Sequence, residues 1–145
     1  MELEQNLSRI INKAMKVVKR NEIYTEDVSQ TPIFFNGKVT RQSIVNSPLT
    51  EQFNFALVSF YIGAKNHFHT HTSDQILFVT DGSGIVATES DVVEMKEGDT
   101  AFIPAGEKHW HGAADGNDFS HISLTQPDSV TQIFSDKIEV TDSYN

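Results

Sequence analysis

The sequence predicts an all-β fold, a sandwich or closed barrel of short strands, preceded by one N-terminal helix. Three observations carry this. From Pro32 onward, short apolar runs recur at regular spacing between clusters of turn-forming residues. All six histidines fall between residues 67 and 121, inside or beside those runs. Before residue 21, by contrast, apolar side chains repeat every three or four positions.

Taken in order, Leu3, Leu7, Ile10, Ile11, Ala14, Val17 and Val18 would share one face of a helix over residues 3–20. Lys16, Lys19 and Arg20 gather at its C-terminal end, where the helix dipole favours cations. Ile33-Phe34-Phe35 then meets Asn36-Gly37, a strong hairpin signal. Strand-like runs follow at Val39–Val45, Phe53–Ile62, Ile76–Val79, Ile85–Thr88, Val92–Met95, Ala101–Ile103, Lys108–Gly112 and Phe119–Leu124. Turn formers separate them: Asn46-Ser47-Pro48, Asp81-Gly82-Ser83-Gly84, Glu97-Gly98-Asp99 and Pro104-Ala105-Gly106. A last strand is expected within Val130–Val140. The chain thus reads as a helical extension over residues 1–30 and a barrel over residues 31–145.

The 145 residues suffice for one domain with a real core. A formal charge of −9 argues against nucleic-acid partners and against anionic membranes. No run approaches the roughly 20 apolar residues of a membrane span, and the acidic N-terminus does not read as a signal peptide. The absence of cysteine removes disulfides, thiolate ligands and cysteine nucleophiles. A cytoplasmic protein is expected.

The histidines carry the chemistry. In an extended strand side chains alternate faces, so His67, His69 and His71 would point to one side, opposite Phe68 and Thr70. His109 and His111 likewise share a face across Trp110. If the two strands are neighbours, five imidazoles converge, which packing does not require and a metal ion does. Phe55, Phe60, Phe78 and Phe102 are expected in the core, with Trp110 outward.

Two spaced patterns then stand out. Gly63, five residues, His69, one residue, His71, three residues, Gln75, six residues, Gly82 is the first. Gly98, five residues, Pro104, one residue, Gly106, two residues, His109 is the second. They resemble the two motifs of the cupin superfamily. The stretch from Gly63 to Thr125 is further similar to the small single-domain cupins that include bacterial hydroxynitrile lyases and stand near carboxymuconolactone decarboxylases. The resemblance implies a double-stranded β-helix, or jelly-roll barrel, and a homodimer. It implies metal ligation by His69, His71, His109 and Gln75, with manganese the usual ion. His111 and His121 match two further histidines near the metal in that family. Relatives often carry threonine where this chain has His67, and the lyases carry glutamine where it has Thr125.

Most cupins place glutamate where this chain has Gln75. A glutamine can offer its amide oxygen but adds no charge. A divalent ion held by three imidazoles and an amide therefore keeps its full charge and is the stronger Lewis acid. With nitrogen and oxygen donors only, Mn, Fe, Co, Ni, Cu and Zn all suit the site. The expected function is a metal-dependent enzyme on a small organic substrate, with lyase- or decarboxylase-type chemistry. His111, His121 and His67 are the candidate acid–base groups, since imidazole titrates near neutrality. An Fe- or Cu-dependent oxygenase and a non-enzymatic small-molecule-binding barrel are the other readings of the same residues.

Overall fold

The computed structural model describes residues 14–135 and 139–142. Thirteen strands form among them: β1 (Glu26–Asp27), β2 (Phe34–Phe35), β3 (Val39–Val45), β4 (Asn54–Phe60), β5 (Lys65–Asn66), β6 (Phe68–His71), β7 (Gln75–Thr88), β8 (Val92–Lys96), β9 (Thr100–Ile103), β10 (His109–Ala113), β11 (Phe119–Thr125), β12 (Thr131–Phe134) and β13 (Glu139–Asp142). One half of the sheet runs β1-β3-β4-β11-β7-β9 and the other β8-β7-β10-β6-β12-β13, with antiparallel pairing throughout. β7 belongs to both halves. Its first part pairs with β11 and β9, its second with β10 and β8. The result is the all-β jelly-roll barrel that the sequence predicts.

Several local expectations differ from the structure. The predicted helix over residues 3–20 lies partly outside the described residues. Within them, residues 14–19 are not helical, and the first regular turn is a 3-10 turn at Arg20–Glu22. Met15 and Val17 are exposed, and an amphipathic helix draws most of its stability from packing that these residues do not find here. Asn36-Gly37 does not close a two-stranded hairpin, because β2 pairs with β5 while β3 pairs with β4. The turn instead packs on the Gly63-Ala64 corner. Asn36 Nδ2 donates to the Gly63 carbonyl at 2.9 Å, and a Cβ on Gly37 would come within 2.8 Å of the Ala64 nitrogen.

Asp81-Gly82-Ser83-Gly84 is no turn either. It is the middle of β7, where the strand crosses between the two halves. Gly82 has φ +78°, and a Cβ there would overlap the Asp118 carbonyl oxygen. The glycine therefore serves a bend within one strand, beside a register shift at Ser120/His121. The single strand expected within Val130–Val140 is two, β12 and β13, paired antiparallel.

The core fills the barrel below the histidines. Val39, Val58, Val79, Phe60, Phe119, Met95 and Ile133 are buried in one cluster. Phe34 meets Phe60 edge-on at 5.7 Å between centroids. Phe78 and Phe102, expected inside, are 43% and 62% exposed. Along β7 and β9 the odd positions Gln75, Leu77, Val79 and Ile103 are buried while Ile76, Phe78 and Phe102 are exposed, so alternation turns those two rings outward.

Candidate metal centre

The pairing of β10 with β6 builds the centre. His109 stands opposite His69 in register, and His71 follows His69 on the same face of β6. The loops before β7 and β10 are tied together: Asp74 accepts the Ala105 N–H at 2.9 Å, and the His71 carbonyl accepts the Gly106 N–H at 2.9 Å. That tie brings Gln75, at the start of β7, against His109. The donor atoms of His69, His71 and His109 all lie within 4.8 Å of one another, and the three residues are buried.

Each of these imidazoles is oriented by an oxygen behind it. His69 Nδ1 donates to the His67 carbonyl at 2.7 Å and His109 Nδ1 to the Glu107 carbonyl at 2.8 Å, while His71 Nδ1 shares a hydrogen bond with Thr131 Oγ1 at 2.8 Å. A carbonyl oxygen only accepts, so the proton sits on Nδ1 of His69 and His109. The Nε2 lone pairs are then turned inward, as in histidines that hold a metal. Gln75 Nε2 donates to Ser123 Oγ at 3.0 Å, which aims Gln75 Oε1 at His109 Nε2, 3.1 Å away. Two acceptors thus face each other with no proton between them. His71 Nε2 is buried and makes no hydrogen bond. Converging lone pairs with an orphaned nitrogen among them are an arrangement that could hold a divalent cation.

Electrostatics agree. Burial holds the His71 and His109 imidazoles down at about 4, and pushes His69 well below the usual range, with His109 and His71 adding repulsion. At neutral pH all three are uncharged and offer lone pairs.

His111 and His121 stand beside the centre. His121 Nε2 lies 3.2 Å from His111 Nδ1. Phe60 supports both rings, with centroids 5.5 and 5.6 Å away. Burial lowers His121 to about 4 and His111 further, the neighbouring His121 adding to the latter. A cavity of about 20 Å³, room for about one water, lies among Asn66, His69, His71, Gln75, His111 and His121. Trp110 points outward under Lys65, as expected.

His67, expected with the cluster, is not at the cavity. The strand breaks between β5 and β6, so Asn66 and His69 both face inward, and His67 instead stacks on Phe35 at 4.4 Å. Asn66 occupies the inward place and, with Ser123, is a polar cavity residue that the sequence did not reveal. Its signal lies in the spacing of three to His69, which strict alternation does not allow.

A jelly-roll barrel with three inward imidazoles and a facing amide is a fold with a site that could hold a metal ion. The cupin domain family pattern matches residues 56–123, from β4 into β11. An (R)-mandelonitrile lyase of Granulicella tundricola is 35% identical over 94 residues, which is 64% of this chain and 72% of that protein. This chain belongs to the cupin family. An acireductone dioxygenase of Sulfurihydrogenibium is 33% identical over 78 residues, 51% of this chain and 41% of that protein. Among solved structures, a cupin-like protein of Thermotoga maritima superposes with a TM-score of 0.64 at 28% identity, covering 77% of this chain and 81% of its own. A polyketide cyclase of Streptomyces resistomycificus, at 19% identity and TM-score 0.69 over 78% of this chain and 80% of its own, shares the fold alone. Among the described residues no helix is long and apolar enough to cross a membrane.

Proposed function

We propose that this protein is a metal-dependent lyase acting on a small neutral compound that carries a hydroxyl or carbonyl oxygen. The observation that carries the reading is the convergence of His69, His71 and His109 within 4.8 Å beside Gln75 Oε1. These four residues would hold a divalent transition metal, manganese in this reading, and when bound it supplies Lewis acidity toward a substrate oxygen. The His111–His121 pair takes up and returns the proton that bond cleavage moves. Phe60 and the surrounding core keep bulk water from both rings.

The substrate class follows from a second space. A slot of about 460 Å³ opens between β8 and β9 and reaches His109. Val86, Val93, Met95, Ala101 and Ile103 give it apolar walls. Its lining also carries Asp91, Glu94, Asp99 and Glu107, and among the described residues no Lys or Arg. A substrate that approaches His109 by this slot, on the side away from His111 and His121, finds no counter-charge for an anionic group, which favours a neutral compound with an apolar body. The likeness to an (R)-mandelonitrile lyase supports lyase chemistry.

The test is metal analysis of the purified protein, then assays of manganese- and iron-loaded samples. Cleavage of a neutral aromatic cyanohydrin, dependent on metal and lost in His71→Ala, is the expected result. Inert cyanohydrins under every metal would overturn it. Oxygen uptake by the iron form alone would move the function to the dioxygenase side, where the likeness to acireductone dioxygenase points.

A further inference from the structure

We propose that Asn66 is a positioning residue that, together with His121, fixes His111, a ring lining the cavity, with its lone pair on Nε2. The inference rests on the acid–base reading above and sharpens it, because it separates the roles of the two histidines.

Asn66 is 3% exposed. Its Oδ1 accepts the His111 backbone N–H at 2.7 Å. Its Nδ2 stands 3.1 Å from His111 Nε2 and 3.4 Å from His111 Nδ1. A nitrogen so nearly equidistant from both ring nitrogens cannot lie in the ring plane, since it would collide with the carbon between them. It lies over the ring, with its N–H toward the π face. The amide therefore clamps the ring from above and leaves both in-plane lone-pair directions to other partners.

The proton positions then follow by elimination. His121 Nδ1 is 3.2 Å from the Ile122 carbonyl, which only accepts, so this nitrogen carries the hydrogen. In a neutral imidazole the other nitrogen, Nε2, is then an acceptor. It faces His111 Nδ1 at 3.2 Å, so His111 Nδ1 is the donor. The lone pair of His111 is left on Nε2. His121 thus sets the tautomer of its neighbour, and His111 is the imidazole that meets a substrate proton. When Nε2 of His111 gains a proton, the one on its Nδ1 can shift to His121 Nε2. One charge is then shared by two rings, and the Ile122 carbonyl accepts from the far end. Without Asn66, the ring face is open and the His111 backbone N–H loses its acceptor, so the ring is free to turn and exchange its tautomers.

Long-range 1H–15N correlation spectra of the full-length, zinc-loaded protein at neutral pH test this. The expected result is a single His111 tautomer protonated on Nδ1, and in Asn66→Ala a His111 with averaged nitrogen shifts. Zinc-dependent shifts of His69, His71 and His109 should persist in the variant. A wild-type His111 protonated on Nε2 would overturn the proposal, and so would an Asn66→Ala spectrum with His111 unchanged. The wild-type spectrum decides even if the variant does not fold. Failure of the metal reading shows separately, as histidines 69, 71 and 109 that do not respond to zinc.

Discussion

Replacing Thr131 by valine removes one hydroxyl and little volume, and it addresses the metal centre from behind. Thr131 is fully buried, and its Oγ1 lies 2.8 Å from His71 Nδ1, where it would accept that N–H in the metal-binding form. In the variant His71 has two choices. It can keep its proton on Nδ1 as a buried, unsatisfied donor, at a cost of about 1–3 kcal/mol. Or it can move the proton to Nε2, which turns the inward lone pair into an N–H that no cation accepts. Either way the metal-binding form is penalised. Loss of such an orienting partner typically lowers metal affinity by about 10- to 100-fold, or about 1.4–2.8 kcal/mol. Competition against a chromophoric chelator measures this directly, with urea unfolding of the metal-free variant in parallel. Thr70→Val is the control. Thr70 lies on β6 next to His71, half-buried on the opposite face of that strand, and its loss should change affinity less than about twofold. If Thr131→Val binds metal as tightly as the parent while His71→Ala does not bind, the orienting role of Thr131 is refuted. Equal losses in both threonine variants would refute it too.

Two further outcomes are expected. Gln75→Glu places a carboxylate at a position only 3% exposed, so it should raise metal affinity at least about tenfold while lowering the melting temperature of the metal-free protein; calorimetry with and without metal reads both, and a drop in affinity would contradict ligation at this position. The metal-free protein should be most stable above about pH 6.5, the unfolded value for histidine, and lose stability as pH falls toward 4. The folded values of His71, His109 and His121 lie near 4, so in that window the unfolded chain binds more protons. Each group then contributes a slope of up to about 1.4 kcal/mol per pH unit. Urea unfolding at pH 7.5, 6 and 5 measures it, and a flat profile would mean that these imidazoles are solvated.

The barrel and the cluster of His69, His71 and His109 are legible in the sequence because both depend on a period of two. His69, His71 and His109 sit on regular stretches of β6 and β10, where alternation holds, and the turn before β7 brings Gln75 back inward. What alternation does not describe is where it breaks. The discontinuity between β5 and β6 sends His67 outward and Asn66 inward, and only tertiary pairing of β5 with β2 and β10 sets it. Glycines mislead for a similar reason. Gly82 reads as a turn, yet its freedom is used to bend a continuous strand against Asp118. Asn36-Gly37 carries hairpin chemistry, but the flanking strands find better partners elsewhere. Phe78 and Phe102 show that composition alone does not assign a face, since large rings sit on the outside of β7 and β9. The stripe of apolar residues before Arg20 is helical in period, and over residues 14–19 no packing surface converts period into helix.

The double membership of β7 also governs how the centre would let go. Its first half is hydrogen-bonded on both sides by β11 and β9, and its second half by β10 and β8. Gln75 opens this strand, and His109 and His111 sit on the strand that its far half holds. His109 thus lies on a strand paired on both sides, away from any edge that can fray. A metal held there would lose His109 only when β10 parts from β7 and β6 together, a larger event than the fraying of a sheet edge.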